Sequence, residues 1–115
     1  MAMKIDSYSF GSLVLDGKTY TSDVIIYPNR VDPSWWRMEG HRLQIADLDD
    51  ALAARPEVLI IGTGYSGMMV VSRETKDGIR SRGIDVHVAT TGKAVELFNT
   101  MQGKKTIIAA LHLTC

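Results

Sequence analysis

A chain of 115 residues, 45% hydrophobic and 23% charged, has room for one domain with a single core, and none for a catalytic unit beside a separate cofactor unit. Thirteen basic residues balance thirteen acidic ones, a formal net charge of +0, which disfavours a sequence-independent nucleic-acid binder because phosphate contacts need a basic excess. The single cysteine, Cys115, rules out an internal disulfide, no apolar run approaches the length of a membrane span, and the opening MAMKIDSYSF lacks the apolar stretch of a signal peptide. The expectation is one domain over 1–115, soluble and cytoplasmic, with neither nucleic acid nor membrane as partner.

The first third reads as β structure. Apolar runs at Leu13–Leu15 and Val24–Tyr27 are separated by Asp16-Gly17, a dipeptide suited to the positive φ angles of a type I′ hairpin turn. Gly11, inside the first run, marks a bulge or a close backbone approach. Residues 28–44 have no clean periodicity, and Pro28 and Pro33 forbid long regular structure, so this stretch is a long packed connection. Trp35 and Trp36 stand on it side by side. Neighbours on an extended chain face opposite ways, so one enters the core and the other stays partly exposed.

From Asp47 the period changes. Leu48, Ala51 and Leu52 make an amphipathic turn pattern with carboxylates at its amino end, and Pro56 stops it. VLII (58–61) is a continuous apolar run, as in a strand buried on both faces. MMVV (68–71) is a short strand or a packed connection. Ser72 caps a helix over 73–82 with Gly83 as its terminator, IDVHVA is the next strand, and TTGKAVELFNTMQG is the clearest helix of the chain, with Ala94, Val95, Leu97, Phe98 and Met101 on one face. TIIAALHL closes the series as a buried strand. Strand, helix, strand, helix, strand in this order predicts parallel pairing, with three strands ending on one edge of a mixed central sheet. The fold class is therefore α/β: a layered domain with an N-terminal β-hairpin region.

That edge would gather Gly62–Gly67, Thr90–Lys93 and Leu113–Cys115. The glycines of VLIIGTGYSG follow a G-x-G-x-x-G spacing, but the context argues against a nucleotide. Met68 and Met69 stand where a phosphate-binding loop needs lysine and a hydroxyl residue, no helix opens at Gly67, and Asp85 begins the next strand instead of ending it. Gly62, Thr63, Gly64 and Tyr65 could still present backbone N–H groups to a carboxylate or a single phosphate, aided by Thr90, Thr91 and the Lys93 ammonium. The plainer reading makes both junctions tight turns capped by threonine. Trp36, Arg37 and His41 form a second group, which is either an anion clamp or an aromatic plug with an ion pair from arginine to Glu39 or Asp32. Of the histidines, His112 near the glycine edge is the better general-base candidate, whereas His87 suits a structural role. Histidines at 41, 87 and 112 with one cysteine match no zinc spacing, so neither metal nor cofactor is expected.

Read together and in order, DPSWWRMEGH, VLIIGTGYSG and ALHLTC resemble the small Mth-type domain family. That family is largely uncharacterised; it includes the mammalian adipogenesis-associated Mth-domain protein and has a mitochondrial complex I assembly factor as a more distant relative. The resemblance runs from SFGSLVLDGKTY to the end of the chain. It implies a compact α/β domain with a central mixed sheet, and no particular reaction. Two functional expectations follow. The first is a non-catalytic binding or assembly-type protein, monomeric or weakly dimeric, with a protein partner. The second is an enzyme or sensor for a small anionic metabolite held at the glycine loop.

Overall fold

In the computed structural model, which describes residues 3–115, the chain begins as a three-stranded antiparallel sheet of β1 (Ile5–Ser9), β2 (Ser12–Leu15) and β3 (Lys18–Tyr20). Met1 and Ala2 of the expected 1–115 domain lie outside the described residues. Asp16 and Gly17 both adopt positive φ, 47° and 80°, as the β2–β3 turn demands. Gly11, at φ 76°, resolves as a close approach: it turns β1 into β2, and its amide donates to the Leu113 carbonyl at 2.9 Å.

β4 (Val24–Ile26) leaves this sheet for the central one. There it joins β5 (Val31–Asp32), β7 (Val58–Gly62), β9 (Asp85–Ala89) and β10 (Ile107–Leu111) in the order β5-β4-β10-β7-β9. β7 pairs in parallel with both β10 and β9, while β4 runs antiparallel to β10. β6 (Arg42–Leu43) and β8 (Val70–Val71) form a small parallel pair, so MMVV contains a short strand. All residues of β7 and β10 are buried. Their alternating side chains feed two cores. Leu59, Ile61 and Ile108 face α1 (Asp49–Ala53), α2 (Arg73–Arg80) and Trp35, whereas Val58, Ile60, Ile107 and Leu111 face α3 (Thr91–Met101) and Leu13 and Leu15 of the N-terminal sheet. Each such side chain contributes about 1.5–3 kcal/mol on burial, far more than local propensity supplies.

β9, unlike β7 and β10, is only partly buried. It lies at the edge of the sheet, with Asp85 and Val88 exposed. Among the described strands β7 alone pairs with it, so its other edge is open and its side chains need not all be apolar. A 3-10 turn over Ile45–Leu48 follows the long connection and leads into α1; on the connection itself Trp35 is buried while Trp36 is exposed, as expected of neighbours on extended chain. Ser72 caps α2 by accepting from the Thr75 amide at 3.2 Å. Gly78, a weak helix former, has a packing reason: a Cβ there would come within 2.9 Å of Ile45.

Two glycines should respond to alanine with opposite signs. Gly92, in the first turn of α3, has open space around it, so Gly92→Ala should raise stability by about 0.5–1 kcal/mol. Gly62→Ala drives a methyl group against Thr91 Oγ1 at 2.8 Å and Leu111 at 2.9 Å, and should lower stability by about 1–3 kcal/mol. Urea denaturation of both variants beside the wild type checks each sign.

Candidate functional site

Gly62 is in register with both Leu111 and Ala89, so the three parallel strands end level. The glycine loop, the start of α3 and segment 112–115 therefore meet on one rim. There the loop is filled by the chain itself. Thr63 N–H donates to the Ala89 carbonyl at 2.9 Å, Gly64 N–H to Thr91 Oγ1 at 2.8 Å, Tyr65 N–H to the Thr114 carbonyl at 2.6 Å and Met68 N–H to the Cys115 carbonyl at 2.8 Å. The Thr91 hydroxyl passes the network on, donating to the His112 carbonyl at 2.6 Å. Gly64 sits at φ 111°, and a Cβ on it would overlap the Cys115 carbonyl. The backbone amides expected to face an anion are thus engaged internally, because buried N–H groups require partners, and Ala89, Thr91 and segment 112–115 supply them. The glycines admit backbone to backbone.

Below this rim lies a polar cluster built from three distant segments. Asp23, just before β4, accepts from Arg37 Nη1 at 2.8 Å, His112 Nδ1 at 2.8 Å and the Leu113 amide at 2.7 Å. Burial alone would raise the Asp23 pKa. The hydrogen bonds from His112, Leu113 and Arg37 outweigh it and lower the pKa to about 2 from an ordinary 3.8. Because Nδ1 gives its proton to the carboxylate, Arg37 Nη2, 3.1 Å from the same nitrogen, donates instead to the Gly40 carbonyl at 2.8 Å. The guanidinium also lies over the Trp35 ring, 4.7 Å from its centroid. Two buried nitrogens of the cluster have no partner among the described residues: Arg37 Nε and His112 Nε2. Tyr8 donates its hydroxyl to the Leu113 carbonyl at 2.8 Å, and burial raises its pKa, which keeps the phenol a neutral donor.

The predicted residues therefore separate. Gly62, Thr63, Gly64, Thr91 and His112 come together in one network with Arg37 at its base. Thr90 caps α3 through its backbone only, and Lys93 is exposed on the first turn of that helix. Tyr65 is exposed with its ring 5.9 Å from Phe10 and 6.2 Å from Tyr8. Trp36 is exposed, and the exposed His41 has its ring centroid 5.9 Å from that of His112. The ion pair of Arg37 expected with Glu39 or Asp32 is made with Asp23 instead, because β4 delivers that carboxylate to the buried side of the arginine. Asp23, Tyr8 and Phe10 escaped the sequence reading, since an acid ahead of an apolar run and aromatics in a hairpin carry no local signal. Among the described residues, no group of three or more His, Cys, Asp or Glu is placed to hold a metal ion. None of the described helices is long and apolar enough to cross a membrane.

Comparison with known proteins follows the same outline as the fold. The family described as "Protein of unknown function (DUF498/DUF598)" matches residues 5–112. The chain belongs to this family. Its structure is similar to that of the conserved hypothetical protein PH1505 from Pyrococcus horikoshii, with 32% identity, a TM-score of 0.85 and coverage of 97% of this chain and 99% of the other. MT938 shares the fold at 22% identity and a TM-score of 0.78, covering 98% and 99% of the two chains. A Bordetella pertussis protein described as a Mth938-like domain does so at 18% identity and 0.76, covering 96% and 85%. The Mth-type resemblance in the sequence is thereby confirmed.

The Asp23 cluster gives this DUF498/DUF598 domain a definite acid response. A folded pKa of about 2 against 3.8 is a stabilisation of about 2 kcal/mol, present above pH 4 and lost as pH falls through about 2. Asp23→Asn should cost about 2–4 kcal/mol at neutral pH by stranding the Arg37 charge, and its deficit should narrow as pH falls over that same range. Urea midpoints of variant and wild type across pH 2–7 measure both effects.

Proposed function

We propose that this domain acts by binding, as an assembly-type module that takes a protein partner on the rim above the glycine loop. One observation carries the reading: Phe10, Tyr65 and Met68 are 57%, 59% and 54% exposed, and Phe10 and Tyr65 pack edge to face. Side chains of this size are usually buried, and aromatic residues and methionine are enriched where proteins meet. The neighbouring chain adds more: Val70 is exposed with its amide bonded to the His41 carbonyl at 2.7 Å, and Trp36, 75% exposed, precedes the anchored Arg37. The backbone beneath is held by the glycine-loop network, so a partner would meet a preformed surface with little ordering cost. A photo-crosslinking amino acid at Tyr65 should yield an adduct of defined mass in cells, whereas one at Arg73, exposed on α2, should yield none. Phe10→Ser combined with Met68→Ser should weaken recovery of that partner by about tenfold or more. Uncrosslinked monomer from the Tyr65 position would overturn the proposal.

A second reading, a sensor of a small anion, is supported by Arg37 Nε, a buried N–H with no acceptor among the described residues. A buried donor without an acceptor is costly, and a carboxylate or phosphate admitted by movement of Trp36 or His41 would relieve it. A thermal-shift screen of small carboxylates and phosphates tests this. At 100 times Kd a true ligand adds about 2.7 kcal/mol of stability. Absence of any shift across the screen removes the reading.

A further inference from the structure

We propose that the opposite end of the central sheet carries a separate binding site, for a small carboxylic acid with a short apolar chain. A groove of about 760 Å³ opens there beside the starts of β7 and β9, within the size range of small-molecule sites. Leu52, Pro56 and Ile84 form its apolar wall, and Arg55 and Arg82 supply cations.

Arg55 is the informative residue. It follows α1 at φ 50°, in the left-handed region where a helix end ordinarily places glycine or asparagine. Asp16, also non-glycine and at positive φ, belongs to a hairpin turn; Arg55 belongs to the turn that ends α1, its amide donating to the Leu52 carbonyl at 3.1 Å, and its side chain makes no hydrogen bond or ion pair among the described residues. Glycine would end the helix with less strain, and the arginine that stands there instead leaves an exposed, unpaired cation free to contact a ligand in the groove. Arg82 is held at the groove by donation from Nη1 to the Gly78 carbonyl at 2.8 Å. Two acids also line the groove. Glu57 is committed to the Thr106 amide at 2.7 Å, and Asp49 stands in the first turn of α1. Their charge disfavours a highly charged anion, so a single carboxylate with an apolar tail fits best: the head takes the planar guanidinium fork and the tail covers Leu52 and Ile84.

Octanoate is the probe, with acetate and octylammonium as the tailless and cationic controls. Titration of the isotope-labelled protein should give saturable shifts of the amides of residues 52–57 and 82–84 with octanoate and not with either control. Arg55→Gly should weaken octanoate binding by about tenfold or more while the melting temperature holds or rises, since glycine accepts the left-handed conformation freely. Arg82→Met, a second variant whose spectrum reports an intact fold, should also weaken it. No saturable shift, shifts centred on Tyr65 and Met68 instead, equal binding of octylammonium, or undiminished binding by Arg55→Gly would each overturn the proposal.

Discussion

The level ending of three parallel strands is the constraint on which the rest of this structure depends. With Gly62 in register between Leu111 and Ala89, the chain leaving β10 must pass directly over the loop leaving β7. Two backbones at that separation leave no space for side chains between them. Gly62 and Gly64 provide the clearance, and Thr91 Oγ1 bridges the junction by accepting from one segment and donating to the other. The glycine spacing that looks like a nucleotide fingerprint thus serves a packing purpose here.

Polar groups placed under such a junction must be matched, and the Asp23 carboxylate does the matching. It receives donors from the tryptophan-bearing connection, from His112 and from the backbone of Leu113, so elements far apart in sequence are fixed to one point. An exchange of hydrogen bonds with water would be cheap at the surface. In this half-dry setting each unmatched group costs about 1–3 kcal/mol, which makes the cluster a strong determinant of one arrangement of the rim. The edge strand β9 shows the complementary device: the exposed Asp85 and His87 pair at 3.1 Å places polar side chains where an open sheet edge would otherwise invite pairing.

Local features of the fold were legible wherever one residue's requirement dominates. Asp16-Gly17 announces its hairpin through positive φ, Ser72 starts α2 through capping although the helix ends at Arg80, two residues short of the 73–82 expected, and the unbroken apolar runs of β7 and β10 announce burial on both faces. The two tryptophans divided between core and solvent because extended chain leaves them no other choice. The rim was legible as a place and illegible as a set of contacts. His112, Arg37 and Thr91 could be singled out by type, yet Asp23 could not: its importance comes from partners 14 and 89 residues away. For the same reason the glycine loop could be read as an open nest, since nothing local reveals that Ala89, Thr91 and segment 112–115 occupy its amides.

Periodicity, turn chemistry and capping act between near neighbours, so the amino-acid order alone determined the element types, the parallel α/β topology and the edge at which the loops converge. Which groups on that edge are spent on one another, and which are left facing solvent, was decided only in three dimensions. Hydrogen-bond satisfaction and exposure are properties of assembled neighbours: the occupied amides of Thr63 and Gly64, the matched carboxylate of Asp23 and the bare rings of Phe10 and Tyr65 exist only once the three strands have paired.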